Sequence, residues 1–160
     1  MIIVLMGVTG SGKTTVGRLL AGDLGWAYLD ADDFHSALNI RKMKAGIPLN
    51  DADRRPWLES LRETIRDYLG RSENAVLACS ALRESYREFL LLDERVKLVY
   101  LKGDYRKIQE RLAERRGHYM DPALLDSQFE TLEEPSEGLR IDASSDPAAI
   151  VSIIRNELSI

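Results

Sequence analysis

Ile2-Ile3-Val4-Leu5-Met6-Gly7-Val8-Thr9-Gly10-Ser11-Gly12-Lys13-Thr14 is the stretch that decides the fold. Its second part fits the phosphate-loop pattern G-x-x-x-x-G-K-[ST] and follows directly on an apolar, β-forming run. After Lys13, the residues Val16, Leu19, Leu20 and Leu24 recur at helical spacing. Strand, loop and helix in that order bring the N-terminal N–H groups of a helix to bear on phosphate oxygens. Gly7, Gly10 and Gly12 let the backbone turn sharply and approach an anion with no Cβ in the way. Lys13 is positioned for the β- and γ-phosphates and the Thr14 hydroxyl for Mg²⁺, with Ser11 and Thr15 among the nucleotide contacts. The segment implies a nucleoside triphosphate site.

Working outward, short apolar runs recur at Ala27 to Leu29, Ala75 to Cys79, Lys97 to Leu101 and Leu139 to Ile141, with helical patterns between most of them. The alternation predicts a parallel α/β sheet flanked by helices. About forty-five residues separate the second and third runs. They split at Gly46-Ile47-Pro48 into helices expected near Asp33 to Ala45 and Asp51 to Leu69, the second with Asp51 as its N-cap. This insert, about 33–70, is expected to bind the second substrate. Arg111 and Arg115 share a face near the end of the helix Tyr105 to Glu114, and Arg116-Gly117-His118 follows, which reads as the root of a lid over about 115–127. Basic residues at a helix C-terminus are also favoured by the macrodipole, the competing account of Arg115 and Arg116. A last helix is expected from Pro147 to Leu158.

A phosphate loop alone does not say whether the triphosphate is hydrolysed, transferred or sensed, so the carboxylates matter. The third run ends in Cys79-Ser80 rather than Asp, whereas the second ends in Leu29-Asp30-Ala31-Asp32-Asp33. Period-two geometry puts Asp30 and Asp32 on one side, at the carboxyl end of a strand where ligands of open α/β sheets gather. Asp32 is read as the base for an attacking hydroxyl and Asp30 as a carboxylate for the metal's water shell. Helix capping is the alternative for Asp32 and the preferred reading for Asp33. His35 and His118 lack metal-ligand spacing, and no CxxC or HExxH occurs. Asp67-Tyr68-Leu69-Gly70 matches D-x-x-G, but no N-K-x-D accompanies it, so a switch GTPase is set aside.

The 160 residues, 44% apolar, suit a single domain spanning 1–160. A net charge of −4 argues against a general nucleic-acid binder. Basic residues are instead grouped at Arg41, Lys42 and Lys44, at Arg54 and Arg55, and at Arg111, Arg115 and Arg116. No run is long enough to span a bilayer, the opening apolar run does not read as a secretory signal, and Cys79 is the sole cysteine. A cytoplasmic protein without membrane association is expected.

The chain resembles the gluconate kinase (gluconokinase) family of small phosphate-loop kinases over nearly its full length. Beyond the phosphate loop, the resemblance rests on Asp30-Ala31-Asp32-Asp33-Phe34-His35, Asn39 with Lys42-Met43, Pro48-Leu49-Asn50-Asp51-Ala52-Asp53-Arg54, Ser80-Ala81-Leu82-Arg83 with Tyr86-Arg87, and Gln128-Phe129-Glu130-Thr131-Leu132-Glu133-Glu134-Pro135. The P-L-N-D-x-D-R and Q-F-E-T-L-E-x-P runs carry its specificity. One departure is Ser36, where relatives commonly carry Pro. The resemblance implies a shikimate/adenylate kinase type of fold, a five-stranded parallel sheet in the order 2-3-1-4-5 with a helical substrate insert and a lid. It implies transfer of the ATP γ-phosphate to the 6-hydroxyl of D-gluconate with Mg²⁺, and suggests a homodimer. Asp32 would meet the acceptor hydroxyl. Arg54 and Arg83 become candidates for the gluconate carboxylate, with His35, Lys42 and Gln128 as further substrate contacts. Arg111 would flank the adenine and Arg115 would act from the lid. The readings set against this one are a related small-molecule kinase acting on shikimate, a nucleoside monophosphate or another aldonate, and a nucleotide-binding regulatory module without transfer.

Overall fold

In the computed structural model, which describes residues 1–114 and 122–160, the chain builds one parallel sheet from β1 (Ile2–Met6), β2 (Ala27–Asp30), β3 (Ala75–Ala78), β4 (Val96–Lys102) and β5 (Leu139–Asp142). The strand order is β2-β3-β1-β4-β5, the expected 2-3-1-4-5. Central β1 pairs with β3 from Ile2 opposite Ala75 and with β4 from Ile2 opposite Val96. All five β1 residues are buried, as a strand covered by helices on both faces requires.

The pleat sorts the core into two halves. Ile2, Val4 and Met6 pack with Trp57, Leu61, Ile65 and Leu69 of α3 (Asp51–Gly70) and with Leu90 at the end of α4 (Glu84–Leu90). Ile3 and Leu5 face the other way, onto Val16 and Leu20 of α1 (Lys13–Leu24) and Ile150, Val151 and Ile154 of α7 (Pro147–Leu158). Two further helices, α5 (Tyr105–Glu114) and α6 (Pro122–Thr131), enclose a smaller cluster of Val8, Leu82, Ile108 and Leu125. Because every strand runs the same way, the phosphate loop, Asp30, the Cys79–Arg83 turn and the Asp142–Ala143 turn emerge at one edge.

Two local expectations change, and a third falls partly outside the described residues. The chain after β2 forms a 3₁₀ turn over Ala31–Phe34, and α2 (Ala37–Lys44) starts only after Ser36, whose hydroxyl accepts the Asn39 N–H at 3.1 Å. Ser36 is thus the cap that its departure from the family pattern permits. The N-cap of α3 is Asn50, not Asp51. Asn50 and Asp53 exchange side-chain-to-backbone bonds in a capping box, leaving the Asp51 side chain free of the helix end. Of the expected lid, 115–121, including Arg115, lies outside the described residues, and the remainder is the start of α6.

Candidate active site

The phosphate loop runs too close to its neighbours to admit a side chain at Gly7. A Cβ on Gly7 would lie 2.6 Å from Ser11 Oγ and 2.8 Å from the Leu101 carbonyl, and Gly10 adopts a left-handed φ of 75° with Leu112 and Ile108 closing on the same point. Ser11 is buried and its hydroxyl has no partner among the described residues. Gly12 is the N-cap of α1 and contributes no side chain there, so Lys13, Thr14 and Thr15 begin the helix with their N–H groups unclaimed by a cap. The Lys13 ammonium donates to the carbonyls of Gly7 and Val8 at 2.8 and 2.9 Å. Burial lowers its pKa to about 8, against the opposing pull of Asp32 and Asp30. N–H groups unclaimed by a cap, a glycine whose Cβ would collide with its neighbours and a buried hydroxyl without a partner among the described residues together fit a polyphosphate.

On the far side of the loop, Arg111 donates from Nη1 to the Gly10 carbonyl at 3.3 Å and from Nη2 to the Ala143 carbonyl at 3.0 Å. The guanidinium therefore clasps the phosphate loop to the turn after β5. A planar cation spanning those two loops is suited to flank a nucleotide base.

Asp30 and Asp32 meet, though by a different geometry from a continued pleat. Asp30 ends β2 and its Oδ1 accepts the Asp32 N–H at 3.2 Å, capping the 3₁₀ turn. Its Oδ2 accepts from the Tyr28 hydroxyl at 2.9 Å. Burial pushes the Tyr28 phenol up to about 12, with the neighbouring Thr14 hydroxyl opposing that shift and Asp30 adding to it. Hard oxygen donors gathered beside a phosphate cradle fit Mg²⁺, which takes one or two protein oxygens and completes its shell with phosphate and water. Asp32 stays open to solvent, yet the protein around it raises its pKa by desolvation and, next, by Asp30, with His35 and Lys13 opposing. A carboxylate shifted in this way beside a lysine matches a general base.

The 3₁₀ turn is fixed from below. Trp57 Nε1 donates to the Ala31 carbonyl at 2.7 Å, and the His35 ring stacks on the indole at 4.7 Å and 9°. His35 Nδ1 is buried without a partner among the described residues, and burial lowers the imidazole pKa. Lys42 pairs with Asp53 at 2.6 Å, while Asn39 Nδ2 donates to the Asp53 carbonyl, so α2 is bolted to the first turn of α3.

Arg54 and Arg83 gather around a single carboxylate. Arg83 Nη1 bonds both Asp51 oxygens at 3.0 and 3.1 Å, Tyr86 donates to Asp51 Oδ1 at 2.7 Å, and Arg54 Nη1 donates to the Tyr86 hydroxyl at 3.4 Å. The Tyr86 bond, then Arg83 and Arg54, hold the Asp51 carboxyl below its usual range. Only Nη1 of each arginine is engaged among the described residues, which leaves the other guanidinium donors available. Gln128, read from sequence as a substrate contact, meets the phosphate loop: its Oε1 accepts the Thr9 N–H at 2.6 Å.

The AAA domain family profile matches residues 2–135. A probable gluconokinase from Xenopus tropicalis is 45% identical, with 99% of this chain and 93% of the relative covered. The chain belongs to the gluconokinase family. A solved gluconokinase from Sinorhizobium meliloti superposes with a TM-score of 0.84 at 37% identity, covering 98% of this chain and 94% of that one. A shikimate kinase from Bacteroides thetaiotaomicron, at 19% identity and a TM-score of 0.72 over 100% of this chain and 99% of its own, shares the fold alone.

Within this gluconokinase frame, sequence reasoning passed over three residues that build the site. Asp51 organises the arginines, a role hidden in the sequence because Asp51 also reads as a helix cap. Tyr86 stands three residues after Arg83, one helical turn on, and so joins the same cluster. Buried Arg87 donates to the Ala81 and Leu82 carbonyls and shapes the turn that carries Arg83, with Ala81 at a strained φ of 42°. No pattern in the sequence marks that role.

Proposed function

We propose that this chain transfers the γ-phosphate of ATP to the 6-hydroxyl of D-gluconate, giving 6-phospho-D-gluconate. The observation that carries the reading is a complete phosphate loop at the same sheet edge as two arginines arranged for a carboxylate, in a chain of the gluconokinase family. Gluconate offers what those groups recognise: one carboxylate for the free donors of Arg54 and Arg83, and a polyol chain for His35 and neighbouring polar atoms.

Asp32 accepts the proton of the attacking hydroxyl. Lys13 leaves the carbonyls of Gly7 and Val8 to neutralise the transferring phosphoryl group, and the N–H groups of the loop hold the β-phosphate. Thr14 and Asp30 are the residues that would hold Mg²⁺, which when bound screens the triphosphate charge. Arg111 flanks the adenine, and Arg115, outside the described residues, is assigned to the phosphates from the lid. Among the described residues no helix is long and apolar enough to cross a membrane. We assign the protein to the cytoplasm, in keeping with a lone, buried Cys79 whose thiol is pushed up to about 12. A homodimer is carried over from the family resemblance without an assigned interface.

Phosphorus NMR of the reaction tests the proposal. A product resonance split by the two protons of a CH₂ group identifies a primary phosphate ester, as the 6-hydroxyl requires. A signal split by one proton, or inorganic phosphate alone, contradicts it.

A further inference from the structure

The segment from Gln128 to Glu133 touches both substrate loops. At one end, Gln128 Oε1 accepts the Thr9 N–H of the phosphate loop at 2.6 Å, and Leu125 of the same helix packs with Val8. At the other, the Glu133 N–H donates to the Leu82 carbonyl at 2.9 Å and Glu133 Oε2 accepts the Glu84 N–H at 2.5 Å. That second bond replaces something missing. Arg83 is the N-cap of α4 but makes no side-chain cap bond, so the helix end is capped from outside, and the Arg83 side chain is released toward Asp51. The helix bearing Gln128 is anchored independently to α5, through Tyr105 donating to Asp126 and the Tyr105–Phe129 edge contact at 5.3 Å. The next residue, Glu134, pairs with Lys102 at 2.9 Å and Arg140 at 3.3 Å, fixing the segment to the sheet.

We propose that Gln128 and Glu133 are positioning residues that tie the nucleotide loop to the Arg83 loop, so that occupancy of either substrate site is felt at the other. Neither residue is asked to touch a reacting atom. Gln128 sets the phosphate-loop backbone through one N–H, and Glu133 sets the start of α4 and thereby the aim of Arg83. Linkage then requires that gluconate change nucleotide affinity by the same factor as nucleotide changes gluconate affinity. The acceptor-site half of the argument rests on the gluconate reading.

Calorimetric titration of wild type, Q128M, Q128E and E133A with ADP and with the β,γ-imido analogue of ATP, each with and without D-gluconate, tests it. Met matches the length of Gln without an accepting oxygen, so Q128M is expected to lose on the order of 10-fold in ADP affinity without acceptor, the scale of one unsatisfied N–H. Q128E keeps an accepting oxygen at the same reach but adds a negative charge beside the phosphates, so it is expected to lose ADP affinity while keeping the ratio of nucleotide affinities with and without gluconate. E133A is expected to bind ADP as wild type does and gluconate more weakly. In both Q128M and E133A, the ratio of nucleotide affinities with and without gluconate should collapse toward one. A merely structural role would lower Tm and leave that ratio intact, which overturns the tie. So does a wild type that binds gluconate with no linkage to nucleotide. A wild type that does not bind gluconate overturns the functional reading instead, and unchanged ADP affinity in Q128M then overturns the tie by itself.

Discussion

Desolvation by the surrounding protein acts on solvent-facing Asp32 and on Lys13 in the same sense, toward the neutral form of each. The consequences for pH are opposite in direction. Asp32 must be ionised to accept a proton, and its ionised fraction falls as pH drops through a pKa held above the ordinary aspartate value. The acid limb of kcat/KM for gluconate is therefore expected above the range of an unperturbed Asp. Asp32→Asn should lose that limb and about 10²-fold in kcat, with nucleotide affinity largely kept; lost ATP affinity at unchanged kcat would move Asp32 to the nucleotide side. Lys13 must be protonated to neutralise phosphate, and its fraction of ammonium falls as pH rises through about 8. KM for ATP is expected to rise above that pH, while kcat at saturating ATP stays flatter because bound phosphate restores the proton. A flat KM to pH 10 would remove the free Lys13 ammonium from nucleotide capture. Both residues were legible in the sequence, since pattern and strand-end position identify them. Their pKa shifts were not, because desolvation depends on what the fold packs around them.

Elements decide how the arginines are presented. The capping box of Asn50 and Asp53 starts α3 one residue before Asp51 and so turns the Asp51 carboxylate outward to Arg83 and Tyr86. Asn50 and Asp51 are both good caps, and only the reciprocal bond from Asp53 settles the choice, which is why the sequence pointed one residue too far. Asn50→Ala is expected to cost about 1 kcal/mol of stability, read as a lower Tm, and to raise KM for gluconate as the Asp51 cluster loosens. An unchanged Tm would show that the helix end needs no cap. Arg54→Ala should raise KM for gluconate more than KM for ATP, and the reverse order would assign Arg54 to the nucleotide. The long-range partners could not have been read locally. Thr9 and Gln128 are 119 residues apart, and nothing in the Q-F-E-T-L-E run announces that its first residue answers to the phosphate loop.

At the scale of the whole molecule, the fold brings to one edge what the chain separates. The phosphate loop, Asp30 and Asp32, Arg54 and Arg83 come from four segments, and the parallel order β2-β3-β1-β4-β5 assembles them because every strand ends on the same side. The apolar runs foretold a parallel sheet and the family resemblance its order, and the alternation of Ile2, Val4 and Met6 with Ile3 and Leu5 explains why both faces of the sheet are covered. The same edge binds different acceptors in folds of this type, so architecture alone does not choose the acceptor. On the function proposed above, that choice falls to the Asp51–Arg83–Tyr86–Arg54 cluster. The most direct measurement is ADP release from Mg·ATP by the purified protein with no acceptor, D-gluconate, shikimate or AMP. Strong stimulation by gluconate alone is the predicted result. Stimulation by shikimate or AMP in its place, or nucleotide binding without acceptor-dependent turnover, would contradict it.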